Sequence, residues 1–299
     1  MKNQSAMEYL MTYGWAILVI AVVLAALFQL GVFNPSNLSP RAQPGGCSVK
    51  RSTDVGFGSS ATLAGLCSGQ EPKYVAQFNG QNSNINAGSA SDLYVTNTVT
   101  ISAWINPDSL YSNSYFGLKN FIVFEEYGGA SDINYGLQIT DPTSISFVKR
   151  TSAEGIQYYT FTSIPSVLNK WTYVVLSATG GVAKLYVNGT PAGTPQSINL
   201  YGFSPTSGQI FIIGGWGSSP TSFSGQIANI QIYNSSLSAN EIATLYKEGI
   251  GAPPIALNHL IGWWPLNNNP TDYSGNGNDG TATGITYTSD WPGGYVQPK

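Results

Sequence analysis

The sequence predicts a mainly β protein, in which a long N-terminal hydrophobic α-helix precedes an antiparallel sandwich of two β-sheets. No charged residue lies between Glu8 and Arg41 in the 299-residue chain, and the stretch from Tyr9 to Phe33 is apolar almost throughout. Charged residues make up 9% of the chain, against about 25% in an average domain. From residue 74 onward, short alternating runs are separated by Gly, Asn and Pro, a pattern typical of antiparallel sandwiches.

The apolar stretch is long enough to cross a membrane, since a spanning helix needs about 20 residues. A secretory signal peptide has a shorter apolar region of about 7–15 residues, and no small-residue cleavage site precedes Asn34-Pro35-Ser36. We therefore do not expect removal of the whole stretch. Lys2 carries the only positive side chain before it, so we expect the short end in the cytoplasm and the body of the protein outside.

The N-terminal segment KNQSAMEYLMTYGWAILVI resembles the archaeal type IV pilins and their class III signal peptides. The shared features are a short basic leader, a Gln-Ser start, a Glu five residues into the mature chain and a long apolar helix. The resemblance extends from about Lys2 to Phe33. It implies that a prepilin peptidase cuts between Asn3 and Gln4, which makes residues 1–3 the leader. One departure is Asn3, because Gly is common at that position in the family.

The same resemblance implies that residues 4–33 form a helix that is membrane-inserted in the precursor and packed in a filament core after assembly. A carboxylate buried in such a core needs a partner, and the free amine of a neighbouring Gln4 would supply one to Glu8. The implied partners are other copies of the chain and the pilus assembly machinery. The alternative is an uncleaved, single-span membrane anchor that never polymerises.

Residues 34–46 contain prolines and glycines without periodicity and are predicted to be a linker. The next segment, 47–73, is predicted to be a hairpin or loop held by a disulfide between Cys47 and Cys67, the only cysteines. An even pair enclosing a short loop favours a bridge outside the cell, worth about 3 kcal/mol. A metal site is not expected there, because His259 is the only histidine.

The body of the chain is predicted to contain ten strands, one clear hairpin and one short helix. Asn188-Gly189 is a hairpin turn signal, because both residues accept a positive φ angle. Ser238 and Glu241 form a capping-box pattern at the start of the helix, which Gly249 ends, and we expect this helix to seal one edge of the sandwich. The predicted strands are 74–78, 99–105, 121–126, 135–140, 144–149, 158–162, 171–177, 183–187, 209–213 and 226–233.

Several motifs in this region resemble the laminin-G-like family of concanavalin A-like jelly rolls. They are QFNG at 77–80, VTISAWI at 99–105, WTYVV at 171–175, LYVNG at 185–189, IGG at 213–215, FSGQI at 223–227 and IYNSSLSANEI at 232–242. The resemblance extends from about Tyr74 to Gly249 and implies a jelly-roll domain over 74–299.

The chain departs from this family in the order of its motifs. A Trp-x-Leu strand and an Asp-x-Ser-Gly-x-Gly-Asn loop usually come first, but here they come last, at 262–266 and 272–280. This order suggests a circular permutation, which a sandwich tolerates because its termini usually lie close together. We expect the tail to complete the chain's own sandwich; the alternative is that it completes the sheet of a neighbouring subunit.

The loop from 272 to 280 is a candidate calcium site. Its possible oxygen ligands are Asp272, Ser274, Asn276 and Asp279, while the bidentate Glu of an EF-hand is missing. The alternative is a Gly/Asn-rich turn whose side chains bond to their own backbone. No other cofactor is expected.

No enzymatic activity is predicted. A glycosidase needs two facing carboxylates, whereas Glu125 and Glu126 are adjacent on a strand and point to opposite faces. Carbohydrate binding is the more credible activity, with possible aromatic platforms at Tyr127, Tyr135, Tyr201 and Trp216. A net charge of -3 makes nucleic acid an unlikely partner.

Three sites match the N-glycosylation pattern, at Asn37, Asn188 and Asn234. Asn188 also has an alternative role as the hairpin turn residue. Taken together, the sequence predicts a structural subunit of a type IV pilus-like filament at the cell surface, which displays a lectin-like domain for adhesion or glycan binding. The alternative keeps the lectin-like domain on a single-span membrane anchor.

Overall fold

The computed structural model describes most of the chain beyond residue 70 and three short segments before it. The described residues are 18–23, 47–50, 60–63, 71–89, 93–95, 97–115, 117–127, 132–151, 155–198, 209–216, 220–292 and 295–298. The chain divides into two compact units, Met1–Ala42 and Gln43–Lys299. In the first unit, residues 18–23 are helical and exposed. The predictions for Asn3, Gln4, Glu8 and Asn37 lie outside the described residues.

Over the ranges just given, no helix combines the length and the apolar character needed to span a membrane.

The second unit contains seventeen described strands and one α-helix. They are β1 (Cys47–Lys50), β2 (Ser60–Leu63), β3 (Val75–Asn79), β4 (Asn84–Asn86), β5 (Thr98–Ser109), β6 (Phe121–Tyr127), β7 (Asp132–Asp141), β8 (Ser144–Thr151), β9 (Gly155–Phe161), β10 (Thr172–Thr179), β11 (Val182–Val187), β12 (Thr190–Ser197), β13 (Gln209–Ile213), β14 (Ser224–Tyr233), α1 (Ala239–Glu248), β15 (Leu260–Trp264), β16 (Thr281–Thr283) and β17 (Thr286–Thr288). Each of the ten predicted strands overlaps an observed one.

These strands form two large antiparallel sheets and one separate hairpin, β1-β2. The eight-stranded sheet has the order β12-β11-β10-β5-β14-β3-β17, with β15 also paired to β14. The seven-stranded sheet has the order β16-β4-β13-β6-β7-β8-β9. The two-sheet sandwich of the jelly-roll type is therefore confirmed.

The core lies between the two sheets and follows the alternation of the strands. In β5, the side chains of Val99, Ile101, Ala103 and Ile105 are fully buried in the main apolar cluster. Because successive strand residues point to opposite faces, the residues between them face outward from the sandwich. Trp104 is one of these, and it defines the outer face of the eight-stranded sheet.

Helix α1 packs on that outer face and also contacts the edge strand β12, so it covers part of the face as well as the edge that the sequence predicted. The ring of Tyr246 stacks on the ring of Trp104, with centroids 5.8 Å apart. The ring of Tyr173, on the neighbouring strand β10, has its centroid 5.2 Å from that of Trp104. Ile242 and Leu245 are also buried. The wide indole ring leaves the helix a large apolar surface to cover, which a sheet edge would not offer.

The predicted local signals for the helix and the hairpin are confirmed. The Ser238 Oγ accepts a hydrogen bond from the Glu241 backbone N–H, and the Glu241 carboxylate accepts one from the Ser238 N–H, which completes the capping box. At the hairpin, Asn188 and Gly189 both have positive φ, 50° and 75°. These angles match the twist of β11 and β12.

The tail after α1 closes one side of the sandwich within the same chain. Strand β15 extends beside β14. The two short strands that follow then lie on the edges of different sheets, β16 on β4 and β17 on β3. Trp264 is fully buried and stacks on Phe211 at 5.2 Å. The tail thus pairs with its own chain's sheets, as expected.

Gly225 allows β14 to cross β5 at a bulge, and alanine there is expected to destabilise the fold. Its φ is 131°, and an added Cβ would meet the backbone of Asn106 and Pro107. We expect Gly225→Ala to lower the free energy of unfolding by about 3 kcal/mol. Gly88→Ala is the matched control, because Gly88 also has a positive φ but open space around it; it should cost about 1 kcal/mol. Urea denaturation measures both, and equal losses would contradict the backbone clash.

Candidate functional site

The outer face of the seven-stranded sheet carries a second apolar cluster, distinct from the core between the sheets. Val123 and Phe211 belong to the core, whereas Phe124 and Ile212, their neighbours in sequence, belong to this outer cluster. The members are Leu118, Phe121, Phe124, Ile133, Val148 and Ile212, with Ile156, Ile210 and Trp216 packed against them.

Two partly exposed aromatic rings lie at this outer cluster, and a third exposed aromatic residue lies in the loop that is bonded to it through the backbone of Leu118. Trp216 is half-buried and meets Phe121 and Phe124 edge-on, with centroids 5.9 and 4.9 Å apart. Tyr158 is 38% exposed and is the cross-strand partner of Val148. Tyr115 is 53% exposed, and its backbone pairs with that of Leu118. We call Tyr115, Tyr158 and Trp216 the aromatic face.

The platforms predicted from the sequence overlap the aromatic face only at Trp216. Tyr135 is 1% exposed and points into the core, where its hydroxyl donates a hydrogen bond to the Leu93 carbonyl at 2.8 Å. Tyr135 therefore cannot be a surface platform. The Tyr127 side chain and Tyr201 lie outside the described residues. Tyr158 was missed, although the Tyr158-Tyr159 pair in a strand must place one ring on each face.

Glu125 lies between the sheets, on the opposite side of β6 from the aromatic face. It is 1% exposed, and its cross-strand partners Phe211 and Tyr135 both belong to the core. The Asn134 Nδ2 donates a hydrogen bond to Glu125 Oε2 at 2.9 Å. Neither Glu125 Oε1 nor the Tyr94 hydroxyl has a hydrogen-bond partner within the described part of the chain.

Burial raises the pKa of Glu125 to about 8, and the hydrogen bond from Asn134 opposes the rise only in part. Burial also raises the pKa of Tyr94, with the nearby Glu125 as a second cause. The Glu125 carboxyl is therefore neutral at pH 7. Because it is enclosed by the core, it cannot pair with a carboxylate across a surface groove, as a glycosidase requires.

The loop from 272 to 280 is held by hydrogen bonds to the Asp272 carboxylate. Its Oδ1 accepts from the backbone N–H groups of Trp263 and Ser274, at 2.9 and 2.8 Å. Its Oδ2 accepts from the Ser274 hydroxyl and the Asn278 N–H, at 2.8 and 2.9 Å. Asp279 Oδ1 accepts from the Asp272 N–H at 2.9 Å. The loop thus fixes the end of β15 through its own side chains.

This geometry supports the alternative of a self-bonded turn, and calcium at the loop stays a prediction. The Asn276 amide donates to the carbonyls of Leu260 and Ile261, so its nitrogen faces the backbone. Asn278, which the sequence did not single out, donates to the Ile261 carbonyl from a buried position. Within the described residues, no group of three or more His, Cys, Asp or Glu side chains is placed to hold a metal.

The disulfide and glycosylation predictions remain untested. Only the backbone of Cys47 is described, opposite Leu63 in the β1-β2 hairpin, and Cys67 lies outside the described residues. Asn188 Oδ1 accepts a hydrogen bond from the Tyr173 N–H at 2.9 Å, which fits its alternative role as a turn residue. Asn234 is exposed, with Oδ1 3.2 Å from the His259 Nδ1.

The fold and its motifs match a known family. The model Laminin_G_3, described as the concanavalin A-like lectin/glucanases superfamily, matches residues 79–243, more than half of the chain. The chain belongs to this family. No curated protein matches it.

Three solved structures are similar to this chain at low identity. A protein from Bacteroides ovatus, named as a candidate carbohydrate binding protein, is 22% identical with a TM-score of 0.52, over 77% of this chain and 66% of that one. A heptameric SAP-like pentraxin from Limulus polyphemus is 16% identical with a TM-score of 0.47, over 72% and 94%. The CBM40 of a Ruminococcus gnavus sialidase, bound to sialyllactose, is 16% identical with a TM-score of 0.41, over 59% and 100%. The first likeness supports the sandwich fold.

Proposed function

We propose that the chain is a subunit of a type IV pilus-like surface filament and that its sandwich binds carbohydrate through the aromatic face. The binding proposal rests on one observation: the exposed ring of Tyr158 and the half-buried ring of Trp216 lie at the outer cluster of one sheet, with the exposed Tyr115 in the adjoining loop. Exposed apolar surface of this kind marks interaction sites on soluble domains. Aromatic rings suit sugars because they combine a flat apolar surface with a polar edge.

Two further points support carbohydrate as the ligand class. The chain belongs to a lectin and glucanase superfamily. A protein of the same fold is named as a candidate carbohydrate binding protein. The low proportion of charged residues leaves stacking and neutral hydrogen bonds as the main sources of affinity. We therefore expect neutral glycans to bind better than acidic ones.

A glycan array with the full chain tests the binding proposal. Tyr158→Ala and Trp216→Ala should each weaken binding by about tenfold or more, the equivalent of one lost aromatic contact of about 1.4 kcal/mol. Tyr158→Phe keeps the ring and should retain binding. Val182→Ala removes an exposed apolar side chain from the other sheet and serves as the control.

Running the array with and without a chelator separates the aromatic face from the predicted calcium site. Loss of binding with chelator alone would place the ligand at the 272–280 loop. Binding that survives both aromatic substitutions would contradict a role for the aromatic face. If no glycan binds the wild-type chain, the sandwich is a scaffold.

The filament role rests on the spacing of Gln4 and Glu8 ahead of the long apolar stretch. N-terminal sequencing of the native protein tests it: we expect the mature chain to start at Gln4. An intact Met1 would favour the single-span anchor instead. Glu8→Ala should leave the precursor in the membrane and reduce the yield of filaments, because the carboxylate that pairs with the neighbouring amine is lost.

A further inference from the structure

A short loop joins the aromatic face to the sheet beneath it. We call residues 115 and 117–119 the Tyr115 loop. Leu118 is fully buried in the outer apolar cluster, whereas Tyr115 is 53% exposed. The Tyr115 N–H donates to the Leu118 carbonyl at 3.1 Å, and the Leu118 N–H donates to the Tyr115 carbonyl at 3.0 Å. The loop thus carries an exposed aromatic residue on a buried anchor.

The side chain of Gln138, on β7, bonds to the backbone of this loop. Its neighbours in sequence, Leu137 and Ile139, both belong to the core between the sheets, so Gln138 faces the outer side. Its Oε1 accepts a hydrogen bond from the Lys119 N–H at 3.1 Å, and its Nε2 donates one to the Gly117 carbonyl at 3.1 Å. A single side-chain amide therefore holds the loop at two points.

Burial makes these two hydrogen bonds important for the loop. Gln138 is 0% exposed, so water cannot replace it as a partner of the loop backbone. A buried backbone group that loses its partner is destabilised by more than an exposed one. A glutamine amide suits this position because it offers an acceptor and a donor side by side, as a peptide group does. Removal of the amide should therefore release the loop.

The same loop lies directly against the ring of Tyr158. Gly117 has a φ of 79°, and a Cβ built on it would lie 2.8 Å from Tyr158 Cζ, which is closer than real Cβ contacts come. The Gly117 backbone thus approaches the ring with no side chain between them. Two residues of the aromatic face, Tyr115 and Tyr158, are connected in this way through the segment that Gln138 holds.

We propose that Gln138 is the positioning residue of the aromatic face. Its amide holds the Tyr115 loop in one conformation and thereby fixes Tyr115 relative to Tyr158. This role rests on the proposed carbohydrate binding and names a residue that controls it. Because Gln138 is fully buried, it acts on a bound sugar only through the two tyrosines.

Order in the loop before binding raises the affinity for a sugar. A side chain on a mobile loop must be ordered when the sugar binds, and this ordering weakens binding. A loop that is already held at two points by the folded sheet avoids most of that loss. We therefore expect removal of the Gln138 amide to weaken binding, although no group that touches the sugar is removed.

An array of neutral oligosaccharides, probed with a concentration series of the full chain, measures this effect. Gln138→Met should weaken binding by about tenfold. In a chain that already carries Tyr115→Ala, the same substitution should weaken binding by less than about threefold, because both changes act through one aromatic residue. If the two losses multiply in full, Gln138 does not act through Tyr115 and the proposal is overturned.

Gln231→Met is the matched control on the other sheet. Gln231 is 1% exposed on β14, and its Nε2 donates a hydrogen bond to the Ala252 carbonyl at 3.0 Å. This variant loses a buried amide, as Gln138→Met does, but far from the Tyr115 loop in the sheet order. It should be less stable than the wild type and bind the oligosaccharides equally well. Weaker binding by Gln231→Met would assign the effect to general destabilisation.

Hydrogen exchange of the full chain, read at the Lys119 amide, tests the same role without any sugar. We expect protection in the wild type and fast exchange in Gln138→Met. Equal exchange in the two chains would overturn the proposal. If the wild type binds no oligosaccharide while Lys119 is protected only when Gln138 is present, the binding proposal fails and the holding of the loop is supported.

Gly117→Ala replaces Gln138→Met if that variant fails to fold. The added Cβ displaces the loop from the Tyr158 ring, so binding to the oligosaccharides should again weaken by about tenfold. Unchanged binding by Gly117→Ala would show that the position of the loop does not matter, which contradicts the proposal.

Discussion

Asp272→Ala is expected to lower the free energy of unfolding by about 3–5 kcal/mol, because a buried acceptor is removed from several donors at once. The carboxylate accepts four hydrogen bonds, and those from the Trp263 and Asn278 backbone N–H groups are buried. Each buried donor left without a partner costs about 1–3 kcal/mol. Urea denaturation followed by tryptophan fluorescence measures the loss.

Asp279→Ala is the matched control in the same loop. Its carboxylate is exposed and accepts a hydrogen bond from the Asp272 N–H, so we expect a loss of about 1 kcal/mol. The measurement should be repeated with calcium and with chelator. If the two variants lose equal stability, and chelator destabilises the wild type, then an ion and not the hydrogen bonds holds the loop.

The second large effect is a fall in stability as the pH rises from about 5 to about 8, caused by Glu125. Its pKa is 4.5 before burial and about 8 in the folded chain. Between these values the unfolded chain releases the proton and the folded chain keeps it, so the unfolded state gains from rising pH. Below and above this pH range, the contribution of Glu125 to the free energy of unfolding no longer changes with pH. At about 1.4 kcal/mol per unit of pKa difference, the expected loss is about 3–5 kcal/mol.

Glu125→Gln removes this ionisation while keeping the shape of the side chain. Its free energy of unfolding should change less between pH 5 and pH 8 than that of the wild type. The readout is the slope with pH and not the absolute stability, because the substitution also alters the hydrogen bond with Asn134. Glu71→Gln, at an exposed carboxylate, should leave the slope unchanged. Equal slopes for the wild type and Glu125→Gln would show that Glu125 ionises as freely in the folded chain as in the unfolded one.

Much of the sandwich was predictable because its central strands carry strong alternating patterns. The turn at Asn188-Gly189 and the capping box at Ser238 are local signals that need no tertiary information. Strand β12 was missed because it is an exposed edge strand, TPAGTPQS, with two prolines and little apolar content. Strands β16 and β17 have three residues each and no apolar run to detect.

The candidate site was less predictable because irregularities reset the alternation. The register shifts within β6 and β7, between Phe121 and Val123 and between Glu125 and Glu126. Beyond each shift, the alternation of inward and outward residues no longer shows which side chain faces the core. The sequence therefore could not decide that Asn134 joins Glu125 inside. Strand β9 is regular, but its pattern alone does not say which of Tyr158 and Tyr159 faces the core. Lys149 ends the predicted strand 144–149, but the sequence could not show that its side chain is buried, because that depends on the packing of the other sheet.

The last two strands, β16 and β17, have a consequence for the order of folding. They supply the edges next to β4 and β3, which are made roughly two hundred residues earlier along the chain. A chain that emerges N-terminus first must hold the edges of β3 and β4 open until the last strands arrive. If the body is exported behind a membrane helix, the sandwich can close only after residues 260–288 have crossed, so completion of transport would itself trigger the final folding step.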